Sequence, residues 1–294
     1  MLGNSDLKIS RIGFGCMSLD PGKPESESIL NGALEAGINY FDTADLYKQG
    51  LNESMLGRAF QGKRDRVILA SKAGNQWRAD GSGWDWNPSP AYIQSCLEQS
   101  LLRLKTDYID LYQLHGGTLD DPIDDIIEVF EKLKASGKIR FYGISSIRPN
   151  VIREYTKRSS IISVMIQYSL LDRRPEGEVL SMLLNKEIGV LVRGGLAKGL
   201  LISDKTGPFL NYSAEDVRGV ADAIKAITPV NGSLLNTCLQ WIFRNQAVSS
   251  TVVGIRTNEQ LEDVLRYDAS VIIDETHFKY LETLLQPDHY TTNL

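Results

Sequence analysis

The sequence predicts a closed (β/α)8 barrel of the TIM type, and three observations carry that reading. Eight short apolar runs, near residues 14, 40, 69, 111, 141, 165, 191 and 251, alternate with segments of helical period. The alternation has no composition break, so positions 1–294 read as one domain. A six-stranded doubly wound sheet, the competitor, should show G-x-G-x-x-G after its first strand. Here Gly13-Phe14-Gly15 runs on into Cys16-Met17-Ser18, and the third glycine is missing.

In chain order, Leu7–Gly15 reads as a short N-terminal hairpin leading into a buried strand near Ile12–Gly15. Ile29, Ala33 and Leu34 lie at helical spacing within Glu25–Ala36, and Gly37 stops that helix. Strand Ile38–Phe41, an acidic turn and a short helix over Glu53–Phe60 follow. Strand Val67–Ser71 precedes a long loop, Ala73–Pro90, that holds Trp77, Trp84 and Trp86. Ser89 and Pro90 open a helix that runs to about Leu104, striped by Ile93, Leu97, Leu101 and Leu104. Strand Tyr108–Leu114 delivers His115, and a helix over Pro122–Ala135 ends before Gly137. Strand Ile139–Gly143, a helix opened by Pro149, strand Val164–Gln167, a helix over Gly177–Lys186 and strand Gly189–Val192 continue the rhythm. It breaks at the glycine-bearing segment Arg193–Tyr212. Helices over Ser213–Ile227 and Leu234–Arg244 lead to the last strand, Val248–Val253. Helices from Asn258 and over Glu275–Leu285 are additional C-terminal elements.

Composition narrows the function. Apolar residues at 42% and charged residues at 23% are ordinary for a soluble globular chain. A formal charge of −5 argues against nucleic-acid binding through a basic face. Cys16, Cys96 and Cys238 are odd in number and far apart, which suggests neither a disulfide framework nor a zinc site. His115, His277 and His289 show no ligand spacing, so no metal is expected. Met1–Asp6 lacks a signal-peptide pattern, and no window reaches the ~20 apolar residues of a membrane span, so the reading is cytoplasmic.

The chemistry lies at strand ends. In a barrel every strand points its C-terminal end at one face. Asp42 and Tyr47 follow the second strand, Lys72 the third and His115 the fourth, so the four can share a pocket. A phenol titrates near about 10, and an adjacent ammonium lowers that value by stabilising the phenolate. Asp42 would keep Lys72 charged and oriented, while His115 could polarise a carbonyl through its oxygen. Asp45 reads as a rim residue. Taken singly, each has an ordinary account as a turn, rim or solvated side chain. Those accounts must explain separately why four such residues sit in register on three consecutive strand ends.

Gly37–Tyr47, with Lys72, His115 and Gly143-Ile144-Ser145, resembles the aldo-keto reductase family, as do Ile12–Met17 and Leu111–His115. The resemblance extends over essentially the whole chain. It implies an extended nicotinamide cofactor, usually NADP(H), and reduction of an aldehyde or ketone with Tyr47 as proton donor. It also places Ser145, Ser146 and Gln167 at the nicotinamide, with Ser146 standing where the family commonly has Asn. Arg193 stands where many members carry a stacking Tyr, and a planar guanidinium can stack on a ring or bind pyrophosphate. Gly194, Leu196, Lys198 and Gly199 match the pyrophosphate loop, and Gly254, Arg256 and Gln260 match the region that binds the adenosine 2′-phosphate. The family's following Glu-Asn pair is Asp263-Val264 here. The three loop tryptophans read equally as a wall over the substrate or as rim packing.

Two other functions share parts of this pattern. The family includes potassium-channel β subunits, which hold the cofactor and regulate a partner with little turnover. A glycosidase on the same barrel needs two carboxylates, and Asp42 and Asp45 are available. Lys72 would hold Asp42 ionised, which suits an ion pair better than an acid.

Overall fold

The computed structural model describes residues 1–230, 232–271 and 273–293. Eight parallel strands close into a barrel: β1 (Ile12–Gly15), β2 (Tyr40–Asp42), β3 (Ile68–Ala73), β6 (Ile109–Leu114), β7 (Ile139–Ser145), β8 (Ser163–Gln167), β9 (Gly189–Arg193) and β10 (Val248–Gly254). Two short strands, β4 (Asn75–Trp77) and β5 (Trp84–Trp86), form a separate antiparallel hairpin in the loop after β3. All eight barrel strands fall where the apolar runs placed them. The helices α1 (Pro24–Glu35), α2 (Leu51–Ala59), α3 (Pro90–Leu104), α4 (Ile123–Ala135), α5 (Pro149–Arg158) and α6 (Val179–Asn185) follow successive barrel strands. The last strands are flanked by α7 (Ala214–Ile227), α8 (Leu234–Phe243), α9 (Asn258–Leu265) and α10 (Glu275–Thr283).

Helices cover the outside of the barrel because one stripe of each is apolar. In α3 the buried stripe is Ile93, Leu97, Leu101 and Leu104, as its spacing predicted. In α4 it is Ile126, Val129, Phe130 and Leu133. Inside the barrel a smaller cluster gathers Leu2, Leu7, Tyr40, Ala70, Leu111, Met165 and Leu191. The Tyr40 ring fits because Gly13 has no side chain: a Cβ there would lie 2.4 Å from Tyr40 Cδ1.

The expected N-terminal hairpin is a correction. Among the described residues those before β1 form no strand, and instead make a turn in which Leu2 N donates to Leu7 O at 2.9 Å. The reason is hydrophobic: Leu2 and Leu7 are buried in the barrel's interior cluster and close its base. Gly3 lies so close to the entry of β9 that a Cβ would stand 2.8 Å from Gly189 N.

Helices α2 and α3 approach at Gly57, where a Cβ would be 2.3 Å from Arg103 O. Backbone cannot yield as a flexible side chain can. For Gly57→Ala, a steric cost of about 3 kcal/mol outweighs a helix-propensity gain of about 1 kcal/mol. Urea unfolding should therefore show a net loss of about 2 kcal/mol, and a midpoint equal to or above the parent's would refute the close approach.

Candidate active site

Register puts the reactive strand ends side by side. Asp42 pairs with Ala70 across β2 and β3, and Lys72 pairs with Gln113 across β3 and β6. Alternation then turns Asp42 and Lys72 to the same interior face. Lys72 is only 1% exposed, so its charge needs partners. Its Nζ donates to Asp42 Oδ1 at 2.7 Å, to Oδ2 at 2.6 Å and to Thr43 O at 2.8 Å. Burial pulls the ammonium's pKa down, but Asp42 and the Tyr47 phenol together hold it above the usual lysine value. For Asp42, burial pushes the carboxyl up against the pull of Lys72.

Tyr47 starts a tight turn after β2, and its N–H donates to Ala44 O at 3.1 Å. Lys48, Gln49 and Gly50 then adopt φ of 51°, 54° and 83°. Two consecutive non-glycine residues in the left-handed region are strained, which marks a turn fixed by its surroundings. One such tie is Trp77 Nε1, which donates to Leu46 O at 3.0 Å. The Tyr47 ring lies 5.3 Å from Lys72 Nζ and meets the His115 ring edge to face, with centroids 6.0 Å apart. The expected lowering of the phenol pKa is corrected here. Burial raises it, and Lys72 offsets only part of the rise, since Asp42 already occupies its charge.

His115 follows β6, held by its N–H to Ala73 O at 2.8 Å and by Asn75 Nδ2 to its carbonyl at 2.9 Å. Burial, then the charges of Lys72 and Arg193, push its imidazole down to about 3. The ring is neutral at physiological pH. Nδ1 is shut in without a partner among the described residues, which leaves Nε2 as the nitrogen open to the mouth.

The other half of the mouth carries the remaining predicted residues. Ser145 and Ser146 are buried at the end of β7, where Ser146 Oγ accepts from Arg148 N at 3.2 Å. Gln167 and Arg193 are register partners on β8 and β9, and Arg193 Nη1 donates to Gln167 Oε1 at 3.1 Å. Gly194, Leu196, Lys198 and Gly199 form the turn after β9, with φ of 69°, 59° and 88° at Gly194, Lys198 and Gly199. Gly254, Arg256 and Gln260 are exposed where β10 passes into α9. Gln260 has a local task that the sequence did not suggest: its Oε1 accepts from Arg256 N at 2.9 Å, and its own N–H donates to the Thr257 cap.

The tryptophan loop is a β-hairpin on the rim. Trp86 stands over Gly74 and Gly116, where Cβ atoms would come within 2.6 and 3.0 Å of its ring. Its Nε1 donates to Asp121 at 2.9 Å. Trp84 is mostly outside and meets Trp77 edge to face at 5.7 Å.

Asp45 is not a rim residue. It is 9% exposed, and its Oδ1 accepts no hydrogen bond among the described residues. Burial and the nearby Glu53 push its carboxyl up to about 7. Glu53 is fully buried and accepts from Ser71 Oγ at 2.5 Å and Arg103 Nε at 2.7 Å. Sequence reasoning missed this network, because Asp45, Glu53, Ser71 and Arg103 lie on four separate segments that only the packing of α2 and α3 brings together.

A family profile described as "Aldo/keto reductase family" matches residues 11–286. The chain is 48% identical to uncharacterized oxidoreductase YqkF of Bacillus subtilis, over 98% of this chain and 97% of that one. It is similar to the solved structure of aldo-keto reductase AKR11C1 from Bacillus halodurans in its holo form. The TM-score there is 0.92 at 44% identity, covering 99% of this chain and 97% of that chain. Against the apo form of the same protein the TM-score is 0.84 at 41% identity, covering 100% and 98%.

The buried Asp45 gives stability a pH signature. Its folded value of about 7 lies above the ordinary carboxylate value of about 3.9, so the folded state binds the extra proton. That contribution is complete below about pH 4 and is lost as pH rises toward about 7. Asp45→Asn should therefore gain on the parent by about 2–3 kcal/mol between pH 5 and pH 8 in denaturant unfolding. A difference between the two proteins that is the same at both pH values would overturn the assignment.

Proposed function

The chain belongs to the aldo/keto reductase family of oxidoreductases, and on that premise we propose that it is an NADP(H)-dependent carbonyl reductase. The observation that carries the reading is a buried Lys72–Asp42 pair set against a phenol and a neutral imidazole. The nicotinamide cofactor, when bound, supplies a hydride to the aldehyde or ketone carbon. The proton is this chain's part.

Tyr47 keeps its proton at neutral pH, because burial raises its pKa, and it gives that proton to the substrate oxygen. The phenolate left behind faces the Lys72 ammonium, which stabilises it. Asp42 takes no proton in this scheme; it holds Lys72 charged and aimed. His115, neutral, donates from Nε2 to the same oxygen and polarises the carbonyl before transfer.

The residues opposite fit a dinucleotide. Ser145, Ser146 and Gln167 offer hydrogen bonds to a carboxamide from the ends of β7 and β8. Arg193, steadied by Gln167, presents a planar cation to the ring or the pyrophosphate. The turn carrying Gly194, Leu196, Lys198 and Gly199 brings backbone N–H groups and a cation toward phosphate. Gly254 and Arg256, at the N-terminus of α9, suit a 2′-phosphate, with Gln260 shaping that turn. The likeness over nearly the whole chain to a relative solved in its holo form supports the binding of a cofactor.

Two measurements test the proposal. Wild-type protein should oxidise NADPH with 4-nitrobenzaldehyde, and Tyr47→Phe should lose roughly 100-fold or more in kcat while still binding NADPH; full activity in the variant would remove Tyr47 from its role. Arg256→Ala should raise the KM for NADPH roughly tenfold or more and leave that for NADH nearly unchanged. Equal effects on both cofactors would sink the 2′-phosphate assignment.

A further inference from the structure

Outside the barrel mouth, a groove of about 580 Å3 opens between the β4–β5 hairpin, one face of α3 from Tyr92 to Arg103, and the turn after β2. Asp45, Trp77, Arg78, Asp80, Tyr92 and Arg103 line it, whereas Tyr47, Lys72 and His115 do not. Its size is ordinary for a small-molecule site.

The charge balance of the groove is uneven. Arg78 donates through Nε and Nη2 to Asp85 at 2.6–3.1 Å. Arg103 donates through Nε to Glu53 at 2.7 Å. Neither Asp85 nor Glu53 belongs to the lining, so both guanidiniums are neutralised from outside it. Among the described residues no salt bridge reaches Asp45 or Asp80. Asp80 Oδ1 accepts from the Ser82 backbone N–H at 2.9 Å. Asp45 lines the groove and is nine-tenths buried; its Oδ1 is shut in, the donors at the carboxylate are the neutral Cys96 thiol and Leu46 N–H, and the nearby cation Arg103 is shared with a second carboxylate, Glu53. What the site lacks is a positive hydrogen-bond donor.

We propose that this groove binds a small organic cation, a primary aliphatic amine, with Asp45 as its counter-ion. An ammonium brings three donors and a positive charge, which answers both deficits at once. Its alkyl stem can lie along the Trp77 and Tyr92 rings, whose faces also favour a cation. An anion would meet Asp45 and Asp80 with no free cation, and a ligand with only acceptors would leave Asp45 unsatisfied. Among the described residues no group of three His, Cys, Asp or Glu gathers to hold a metal ion there. The groups facing Asp45 are Glu53 on α2 and Tyr92, Cys96 and Arg103 on α3. Asp45 is pushed up to about 7, so amine binding should strengthen as pH rises through that value.

Titration calorimetry of the full chain at pH 8 and fixed ionic strength tests this, with 1,4-diaminobutane as probe and 1,4-butanediol as its neutral isostere. The expected result is one saturable diamine site per chain, no diol binding, and diamine affinity about tenfold lower at pH 6. Asp45→Asn should weaken the diamine at least about tenfold. Ser95→Trp, on the exposed lip of α3, should fill the groove and abolish binding while NADPH affinity stays at the parent value. Absence of saturable diamine binding, diol binding of equal strength, or diamine affinity unchanged in both variants would overturn the proposal.

Discussion

The Lys72–Asp42 ion pair sets the terms for the rest of the mouth. Two charges leave water there, at a cost of several kcal/mol each that only close geometry and complete hydrogen bonding offset. Completeness is what the barrel supplies. The carboxylate comes from the end of β2, the ammonium from the last residue but one of β3, and the third acceptor, Thr43 O, from the residue after Asp42. Parallel register fixes all three at once, because Asp42 and Lys72 occupy inward positions of neighbouring strands. The positive charge held in this way is felt by both neighbouring rings: it restrains the rise of the Tyr47 pKa and depresses that of His115. Burial keeps the proton on the phenol and off the imidazole, and the buried pair's positive charge tempers the first effect and reinforces the second.

The rest of the interior is arranged so that this polar layer sits at one end only. Below it Tyr40, Ala70, Leu111, Met165 and Leu191 fill the barrel, and Leu2 and Leu7 close the base. A tyrosine in so narrow a space is admitted by the bare Gly13 opposite. The apolar filling leaves no polar partner beneath Asp42 and Lys72, so burial raises the carboxyl, while on the ammonium it is outweighed by Asp42 and Tyr47.

Much of this was legible in the sequence. Strand positions could be read because a parallel strand covered on both faces is a continuous apolar run, and the residue just past such a run must lie at the mouth. That logic placed Asp42, Tyr47, Lys72 and His115 together, as the distances confirm. What was not legible depends on contacts distant in sequence. Leu7–Gly15 alternates like a hairpin, but Leu2 and Leu7 are instead buried in the cluster at the base of the barrel. The Trp77–Trp84 pairing needs a turn whose geometry the loop composition did not announce. Gln260 looked free to face a ligand because its backbone partner, Arg256 N, is fixed only once the cap at Thr257 has formed.

Asp42 and Asp45 show the same limit most clearly. They stand three residues apart, and the sequence reading made Asp42 the partner of Lys72 and Asp45 a rim residue. The chain reverses between them, so Asp42 faces into the barrel while Asp45 faces out, toward α2 and α3. One meets a cation and forms a closed pair; the other meets Glu53 and is left short of positive charge. The backbone joins the two environments directly, since Asp45 N donates to Lys72 O at 3.2 Å and Trp77 ties down Leu46 next to Tyr47. A change of charge at Asp45 therefore acts on the same short turn that aims the phenol, and the left-handed strain at Lys48 and Gln49 leaves that turn little room to absorb it.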